Sequence, residues 1–402
     1  MLPSSNLPIG NLIISLYICD KYLYSMDAPF IYGKLATKNN FTNRSKEISQ
    51  LVTNFNLGIN TILISPRRWG KSSLVAHAAN KASQSKPDLR FCFIDMFNIR
   101  SEEQFYQILA QEVIQSTSNK IDGMVELIKK FLGNFIPKIS FNPTLESSLT
   151  LGLDWKELKK NPDEILNLAE KIAEKKNLKF VICIDEFQNM SNFENPLAFQ
   201  QKLRSHWQKH QLTSYCLFGS KRHMLLDVFS NSSMPFYKFG DIMFLQKITE
   251  ENWIPFIINR FSDTGKSIAD TEAIQITKLA DCHPYYVQQL AQQVWLRTEL
   301  KCDEKTVKQA FENLIDQLSL LFQTKTDELI ETQINLLEAI IDGEVQLSSQ
   351  RVLSQYRLGT SANSLKARKS LINKEIIDIE KKAIVFLDPM YKHWLTKTYF
   401  KK

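Results

Sequence analysis

Eight residues constrain this chain more than any others: Ser65-Pro66-Arg67-Arg68-Trp69-Gly70-Lys71-Ser72, between the run Thr61–Ser65 (TILIS), which reads as a strand, and Lys71–Ser83, which reads as a helix. Short β-branched runs then alternate with amphipathic helices, the pattern of a parallel α/β sheet. Arg90–Phe97 is a second strand, and Ser101 with Gln104 forms a capping box that opens a helix to Gln115. A further helix covers Asp122–Phe135. Asn161 as a cap, Pro162 at the first helical position and Glu164 in the acidic first turn start the next. Lys179–Ile184 (KFVICI) is wholly apolar, as expected of a central parallel strand, and Ser214–Gly219 and Asp241–Ile248 follow it.

Two stretches depart from this alternation. In Lys138–Trp155, Ile139 and Phe141, then Leu149, Leu151 and Leu153, alternate with polar residues on either side of Asn142-Pro143, which predicts an inserted hairpin. After Glu250 the strands stop, and helices at Glu251–Ser262, Thr271–Asp281, Pro284–Leu300 and Asp303–Thr324 form an all-α lid. Helices at Thr332–Ile341, Ser349–Tyr356 and Ser361–Lys374 then precede strands Glu375–Glu380 and Ala383–Asp388 around Lys381-Lys382, the order of a winged helix. The expected domains are a loosely ordered extension at 1–28, a core at 29–249 with the hairpin insertion at 137–155, a lid at 250–325 and a winged helix at 326–402. A length of 402 residues suits two or three domains.

The formal charge of +7 is mild, but its distribution is not. Glu344–Lys402 holds 12 basic and 5 acidic side chains, so the whole excess lies at the C-terminus. The six cysteines form no CxxC, and Cys92, Cys183 and Cys216 lie in apolar strand-like runs, which suits reduced buried thiols of a cytoplasmic protein. Leu12–Cys19 is apolar but too short to span a membrane, and no basic residue precedes Lys21 as a signal peptide would require. Met26 is an alternative start.

The chemistry concentrates at three places. A loop between strand and helix that ends in Gly-Lys-Ser is the P-loop pattern. Gly70 lets backbone amides of Ser65–Ser73 turn inward around phosphates, Lys71 puts a charge between the β- and γ-phosphates, and the Ser72 hydroxyl ligates Mg²⁺. Ser65 replaces the usual first glycine and is small enough for the turn. Second, the apolar strand ends in Asp185-Glu186 about 110 residues after the loop. Asp185 is placed to reach magnesium and its waters, and Glu186 to polarise the attacking water. Third, Ser220 follows the next strand, where a hydroxyl can sense the γ-phosphate or simply cap the following helix. Lys221, Arg222 and His223 can face phosphate or solvent. Without an [NT]KxD guanine-reading motif, ATP is preferred over GTP. Phe41–Arg44 and His283-Pro284-Tyr285 can bracket an adenine or merely pack.

On these motifs the chain resembles the archaeal-type ATPases of the AAA+/STAND branch of P-loop proteins. The matching segments are Phe41–Ile48, Ser65–Ser73, Ile182–Gln188, Phe218–Leu225, His283–Leu290 and Leu387–Leu395, nearly the whole chain from Pro29. The resemblance implies a P-loop core with a five-stranded sheet, a helical lid and a C-terminal winged helix. It carries Lys71 and Ser72 to phosphate and magnesium, Asp185 to magnesium, Glu186 to catalysis and Ser220 to a sensor. Asn43 stands where such proteins usually have glycine. No arginine lies in Phe236–Asp241, where Lys238 is the only base, so an arginine finger is unassigned among Arg67, Arg68 and Arg260.

The function expected is a Mg-dependent ATPase that acts as a nucleotide-driven switch. The alternative is an ATP-gated DNA-binding regulator or defence component using Lys366, Arg368, Lys369, Lys374 and the Lys381-Lys382 turn, and a protein partner docking on the Lys138–Trp155 hairpin, or self-association, is a further expectation.

Overall fold

A computed structural model of the chain describes residues 28–36, 41–118, 120–135, 138–141, 149–152, 161–380 and 383–402. The expectations for 1–27, for the break at Asn142-Pro143, for Leu153–Trp155 and for Lys381-Lys382 lie outside them. The chain divides into two compact units, Asn43–Lys247 and a second made of Ile248–Lys402 with the residues before Asn43.

In the first unit, helix α1 (Ser45–Leu57) leads to strand β1 (Thr61–Ile64), α2 (Lys71–Ser85), β2 (Leu89–Asp95), α3 (Glu102–Thr117) and α4 (Ile121–Leu132). The pair β3 (Lys138–Phe141) and β4 (Leu149–Gly152) follows, then α5 (Pro162–Leu166), α6 (Leu168–Lys176), β5 (Lys179–Asp185), α7 (Pro196–Trp207), β6 (Thr213–Gly219), α8 (Arg222–Ser230) and β7 (Asp241–Phe244). The strands β2-β5-β6-β1-β7, in that spatial order, form the expected five-stranded sheet, and every pairing is parallel. Every residue of β1 and β6 is buried, as are the five central residues of β5, which is why those runs carry no polar alternation.

β7 ends at Phe244 rather than Ile248 because its partner ends first: the bond from Leu245 N to Ile64 O (3.1 Å) closes the ladder. At the other end of the sheet Asn60 ties three strands together. Its Oδ1 accepts from Tyr215 N (3.0 Å), its Nδ2 donates to Phe239 O (3.3 Å), and its carbonyl accepts from Asp241 N (2.9 Å).

Ser101 caps α3 as expected, accepting from Gln104 N, although the Gln104 side chain bonds Arg100 N and not Ser101 N. Asn161 is a correction: it precedes Pro162 but makes no side-chain cap bond. β3 and β4 pair antiparallel, as the hairpin reading expects. Leu151 is buried in the core of this unit and its N–H donates to Gln111 Oε1 (3.2 Å), so that position serves the chain's own packing.

In the second unit, α9 (Glu250–Ser262), α10 (Asp270–Leu279), α11 (Pro284–Arg297) and the 24-residue α12 (Glu304–Asp327) precede α13 (Glu331–Ile341), α14 (Gln350–Gln355), α15 (Ser361–Asn373), β8 (Ile377–Glu380), β9 (Ala383–Phe386) and α16 (Pro389–Trp394). The expected strand to Asp388 stops at Phe386 because Asp388 turns into the cap of α16, accepting from Met390 N (3.0 Å) and Tyr391 N (3.1 Å).

Helices α9–α12 and the elements α13–α16 share one apolar core. Polar bonds stitch them: Tyr286 OH to Asp388 Oδ2 (2.7 Å), Trp394 Nε1 to Ser319 Oγ (2.8 Å), His393 Nε2 with Leu279 O (3.1 Å), and the hydroxyls of Thr326 and Tyr391 (2.8 Å). Phe30 also belongs to this core. Its N–H and that of Ile31 bond Gln292 Oε1 and Gln288 Oε1, and Pro29 O accepts from Arg260 Nε (2.6 Å). The described residues 29–36 and 41–42, which the sequence boundary assigns to the core, therefore group with the C-terminal unit. No helix among the described residues is long and apolar enough to cross a membrane.

A test of the sheet's crowding lies at Gly240, where an added Cβ would stand 2.1 Å from the Asn60 carbonyl oxygen, a backbone atom that cannot swing away. Gly240→Ala is expected to cost about 2 kcal/mol in denaturant unfolding, the scale of overpacking a close-packed site. An unchanged midpoint would mean that the β1–β7 connection yields freely.

Candidate functional site

Because β6 lies between β1 and β5, the loops leaving the carboxyl ends of these three strands emerge side by side, where open α/β sheets place ligands. Ile64 is in register with Gly219, and Ile184 with Leu217.

The loop after β1 holds Ser65, Pro66, Arg67, Arg68, Trp69 and Gly70. Ser65, Pro66 and Trp69 are buried, while Arg67 and Arg68 are exposed. Ser65 needs no left-handed backbone, which explains how serine serves in a glycine's place. The turn is made instead at Arg68 (φ 63°) and Gly70 (φ 86°). An added Cβ at Gly70 would meet nothing within 4 Å, so it is the backbone angle that requires glycine here, not crowding.

Gly70 is also the N-cap of α2. It offers no side chain to cap with, and the first turn of α2 carries no acidic residue, whereas α3 is capped by Ser101 and opens with Glu102 and Glu103. The positive end of α2 is thus left to whatever anion the loop receives.

Lys71 and Ser72 point at the end of β5. Lys71 is 8% exposed, and its Nζ lies 3.0 Å from Glu186 Oε1 and 3.7 Å from Asp185 Oδ1. The Ser72 hydroxyl donates to Asp185 Oδ2 (2.5 Å). Ser73 is buried one residue on. Ser220 is buried and does not cap α8, whose N-cap is Lys221. Instead its N–H (3.2 Å) and hydroxyl (3.0 Å) both donate to Glu186 Oε2, and Arg67 Nε donates to Ser220 Oγ (3.3 Å). The structure thereby joins Arg67, Lys71, Ser72, Asp185, Glu186 and Ser220 in one network. Arg222 lies over the Phe244 ring (5.7 Å), and Lys238 over Tyr237 (5.3 Å).

Gln188 is a member that the sequence reading left without a role. It is 1% exposed and its Nε2 donates to Glu186 Oε2. It lies so close to Gly219 that an added Cβ there would stand 2.0 Å from Gln188 Oε1. No local pattern in the sequence marks it, because its place depends on Gly219 of the neighbouring strand.

Glu186 takes a left-handed backbone (φ 50°, ψ 40°), uncommon for a non-glycine residue. It is held there from both sides. Its N–H bonds the preceding Asp185 Oδ1 (2.8 Å), and the following Phe187, fully buried, packs on Phe236 (5.3 Å), Phe229 (5.7 Å) and Trp207 (6.4 Å). A strained conformation persists only when its surroundings over-determine it, and such strain gathers at functional sites.

The two carboxyls are driven in opposite directions. Burial pushes Asp185 above the ordinary value, more than Lys71 and Ser72 offset. Burial also opposes the charge on Glu186, but the nearer Lys71 and the hydrogen bonds from Gln188, Lys71 and Ser220 outweigh it and hold Glu186 low. Before Phe41–Arg44 can be tied to any ligand, its own packing counts: Arg44 is buried, bonding Glu47 Oε1 (3.1 Å) and Gln246 O (2.6 Å). Asn43 has φ 59°, a conformation that asparagine tolerates best after glycine, so the departure from glycine is conformationally mild.

An acid whose folded-state value is raised gains stability below its unfolded value and loses it as pH rises through the folded one, so ionised Asp185 weakens the ligand-free fold at neutral pH. Asp185→Asn is therefore expected to melt higher than the unaltered protein at pH 7, and the two to converge below pH 3.8. Calorimetric scans across pH would contradict this if the variant melted lower at neutral pH.

A family described as "Probable winged helix domain" matches residues 320–397. No curated protein matches the chain by sequence. Among solved structures the chain is similar to the Walker-type ATPase of Pyrococcus abyssi, with 18% identity and a TM-score of 0.63 over 91% of this chain and 99% of that one. It is also similar to the ORC2 protein of Aeropyrum pernix in its ADP form, with 12% identity and a TM-score of 0.51 over 88% and 93%. At such identities the likeness is one of fold, and it upholds the resemblance read from the motifs: the chain has the fold of an AAA+ P-loop ATPase with a C-terminal winged helix.

Proposed function

We propose that the chain is a Mg-dependent ATPase whose nucleotide state switches its conformation. The observation that carries this reading is the buried Lys71 held between Asp185 and Glu186 at the mouth of an uncapped helix. A lysine so placed is a cation waiting to exchange two carboxylates for phosphate, and the donor set suits a magnesium nucleotide. The backbone of Ser65–Ser73 would ring the phosphates, Lys71 would bridge the β- and γ-phosphates, and Ser72 and Asp185 would hold the metal and its waters. The metal neutralises phosphate charge when bound.

Glu186 is the general base. Its depressed proton affinity keeps it ionised at neutral pH, and once Lys71 turns to phosphate its Oε1 is released to accept a proton from water. Ser220 and Gln188 continue to orient Oε2. Ser220 is the group through which loss of the γ-phosphate is felt, because it joins the base to Arg67 in the loop. The wider setting expected of such a protein is cytoplasmic.

The test is a pair of variants. Lys71→Ala is expected to weaken Mg-ATP binding at least about 100-fold by calorimetry, since a charge-assisted contact to phosphate is lost together with the carboxylates' counter-charge. Glu186→Gln is expected to keep binding and lose turnover by about 10²–10⁴-fold, the usual worth of a general base. Normal hydrolysis by Glu186→Gln would remove the catalytic assignment.

A second reading gives the winged helix a DNA partner. Lys366 and Lys369 lie exposed along α15, Arg368 is half-buried, Lys374 is exposed at the helix's C-cap with its Nζ on Glu328 O (3.4 Å), and all belong to the segment that holds the chain's positive excess. Filter binding across a salt series tests it. Phosphate contacts predict an affinity that falls steeply as salt rises, and absence of binding at low salt would discard the reading.

A further inference from the structure

We propose that His210, at the amino end of the sheet, is a pH-responsive group on which the seat of Glu186 at the carboxyl end depends. Two imidazoles meet there on one amide. His206 Nδ1 (3.1 Å) and His210 Nε2 (3.0 Å) both lie on Asn167 Oδ1, at the junction of α5 and α6. A carbonyl oxygen only accepts, so Nε2 of His210 carries a hydrogen. In the neutral ring Nδ1 is then an acceptor, and it faces the Tyr215 hydroxyl at 2.8 Å. Tyr215 is fully buried, and His210 is the one hydrogen-bond partner of its hydroxyl among the described residues.

Protonation removes that acceptor. With hydrogens on both ring nitrogens His210 can only donate, and the Tyr215 hydroxyl must turn and aim its own hydrogen into the apolar core. A buried donor without a partner is costly, so acid favours a different seat for Tyr215. Burial holds the proton affinity of His210 below the usual histidine value; the Glu170 carboxylate of α6 opposes this, and charge on His206 adds to it. Asp163 of α5 lies on the far side of His206, 3.2 Å from its Nε2. Burial pushes Tyr215 up and the Cys92 thiol of β2 up to about 12, so both are neutral here. Stability linked to His210 is therefore full above pH 6.5, the unfolded value, and is lost as pH falls through the lower folded one.

Tyr215 passes the change on. Its ring stacks on Trp207 (4.0 Å, 15°), and Trp207 reaches Phe187 (6.4 Å) and Phe236 (5.7 Å). The Trp207 Nε1 has no hydrogen-bond partner among the described residues, so packing alone fixes that ring. Phe187 follows Glu186 and holds its left-handed backbone from one side. Close-packed rings shift together rather than deform, and such a chain couples two places when one member has two arrangements, here the Tyr215 hydroxyl. Every step from His210 to Glu186 lies within the first unit, and none needs nucleotide.

The experiment is amide hydrogen exchange on the full-length chain without nucleotide, at about pH 7.5 and about pH 5.5, corrected for the intrinsic effect of pH. It compares the unaltered protein with His210→Gln, whose side chain stays uncharged. Expected for the unaltered protein is about tenfold faster exchange of residues 186–190 at the lower pH, the equivalent of about one unit of proton affinity, against less than about twofold for His210→Gln. The unaltered protein should also lose about 2–4 °C more in melting temperature than His210→Gln over the same interval, and equal losses would overturn the proposal. Protection of 186–190 that is the same at both pH values in the unaltered protein would overturn it whatever the variant does. So would a tenfold change that persists in His210→Gln, since the sensor would then lie elsewhere. Tyr215→Phe keeps the imidazole but lacks the hydroxyl, and covers the case in which His210→Gln does not fold. Its exchange at 186–190 should lose the pH dependence, and an undiminished dependence would overturn the proposed path.

Discussion

A lysine ammonium nine-tenths buried has to be met by negative charge, and here the charge comes from the tip of a different strand. Lys71 opens α2, yet its partners Asp185 and Glu186 end β5. The ion pair can form only if β6 alone separates β1 from β5 and the three strands end level. The parallel sheet, the crossover helices and the buried apolar runs of β5 and β6 are therefore conditions for one electrostatic contact. Removing Lys71, the cation the two carboxylates share, would leave them buried without counter-charge, a change that typically costs about 3–5 kcal/mol, so the same contact reports on the integrity of the whole unit. An anion entering the loop would replace one set of partners by another and leave the lysine paired throughout.

Around that contact the protein tolerates local cost. Glu186 keeps an unfavourable backbone because Asp185 holds its N–H and Phe187 is locked among aromatic rings. Gly219 leaves room for Gln188, and Gln188 and Ser220 then fix one oxygen of the glutamate, leaving the other to Lys71. The result is a carboxylate kept ionised beside another that burial pushes toward protonation.

Much of this was legible in the chain. The strand-loop-helix around Gly70-Lys71-Ser72 and the apolar strand ending in Asp185-Glu186 locate the site because each depends on local sequence: a period, a small residue, a charge at a strand tip. What escaped depends on tertiary neighbours. β7 stops with its partner β1, which no residue of β7 announces. Asp388 reads as the end of a strand until its carboxylate is seen capping α16. Gln188 carries no periodic signal, and its importance appears only when Gly219 is placed opposite. The helix-cap position was open by sequence, since serine suits it, and it falls to Lys221 while Ser220 bonds Glu186. The core that α9–α12 share with α13–α16 likewise comes from contacts such as Tyr286 with Asp388, about 100 residues apart.

A crystal structure of the unaltered protein with magnesium and a non-hydrolysable ATP analogue tests the central claim most directly. The account predicts polyphosphate ringed by the main chain of Ser65–Ser73, Lys71 Nζ moved from Glu186 onto phosphate oxygens, and Asp185 on the metal side. A nucleotide bound elsewhere, or the Lys71–Glu186 pair intact beside a bound nucleotide, would contradict it.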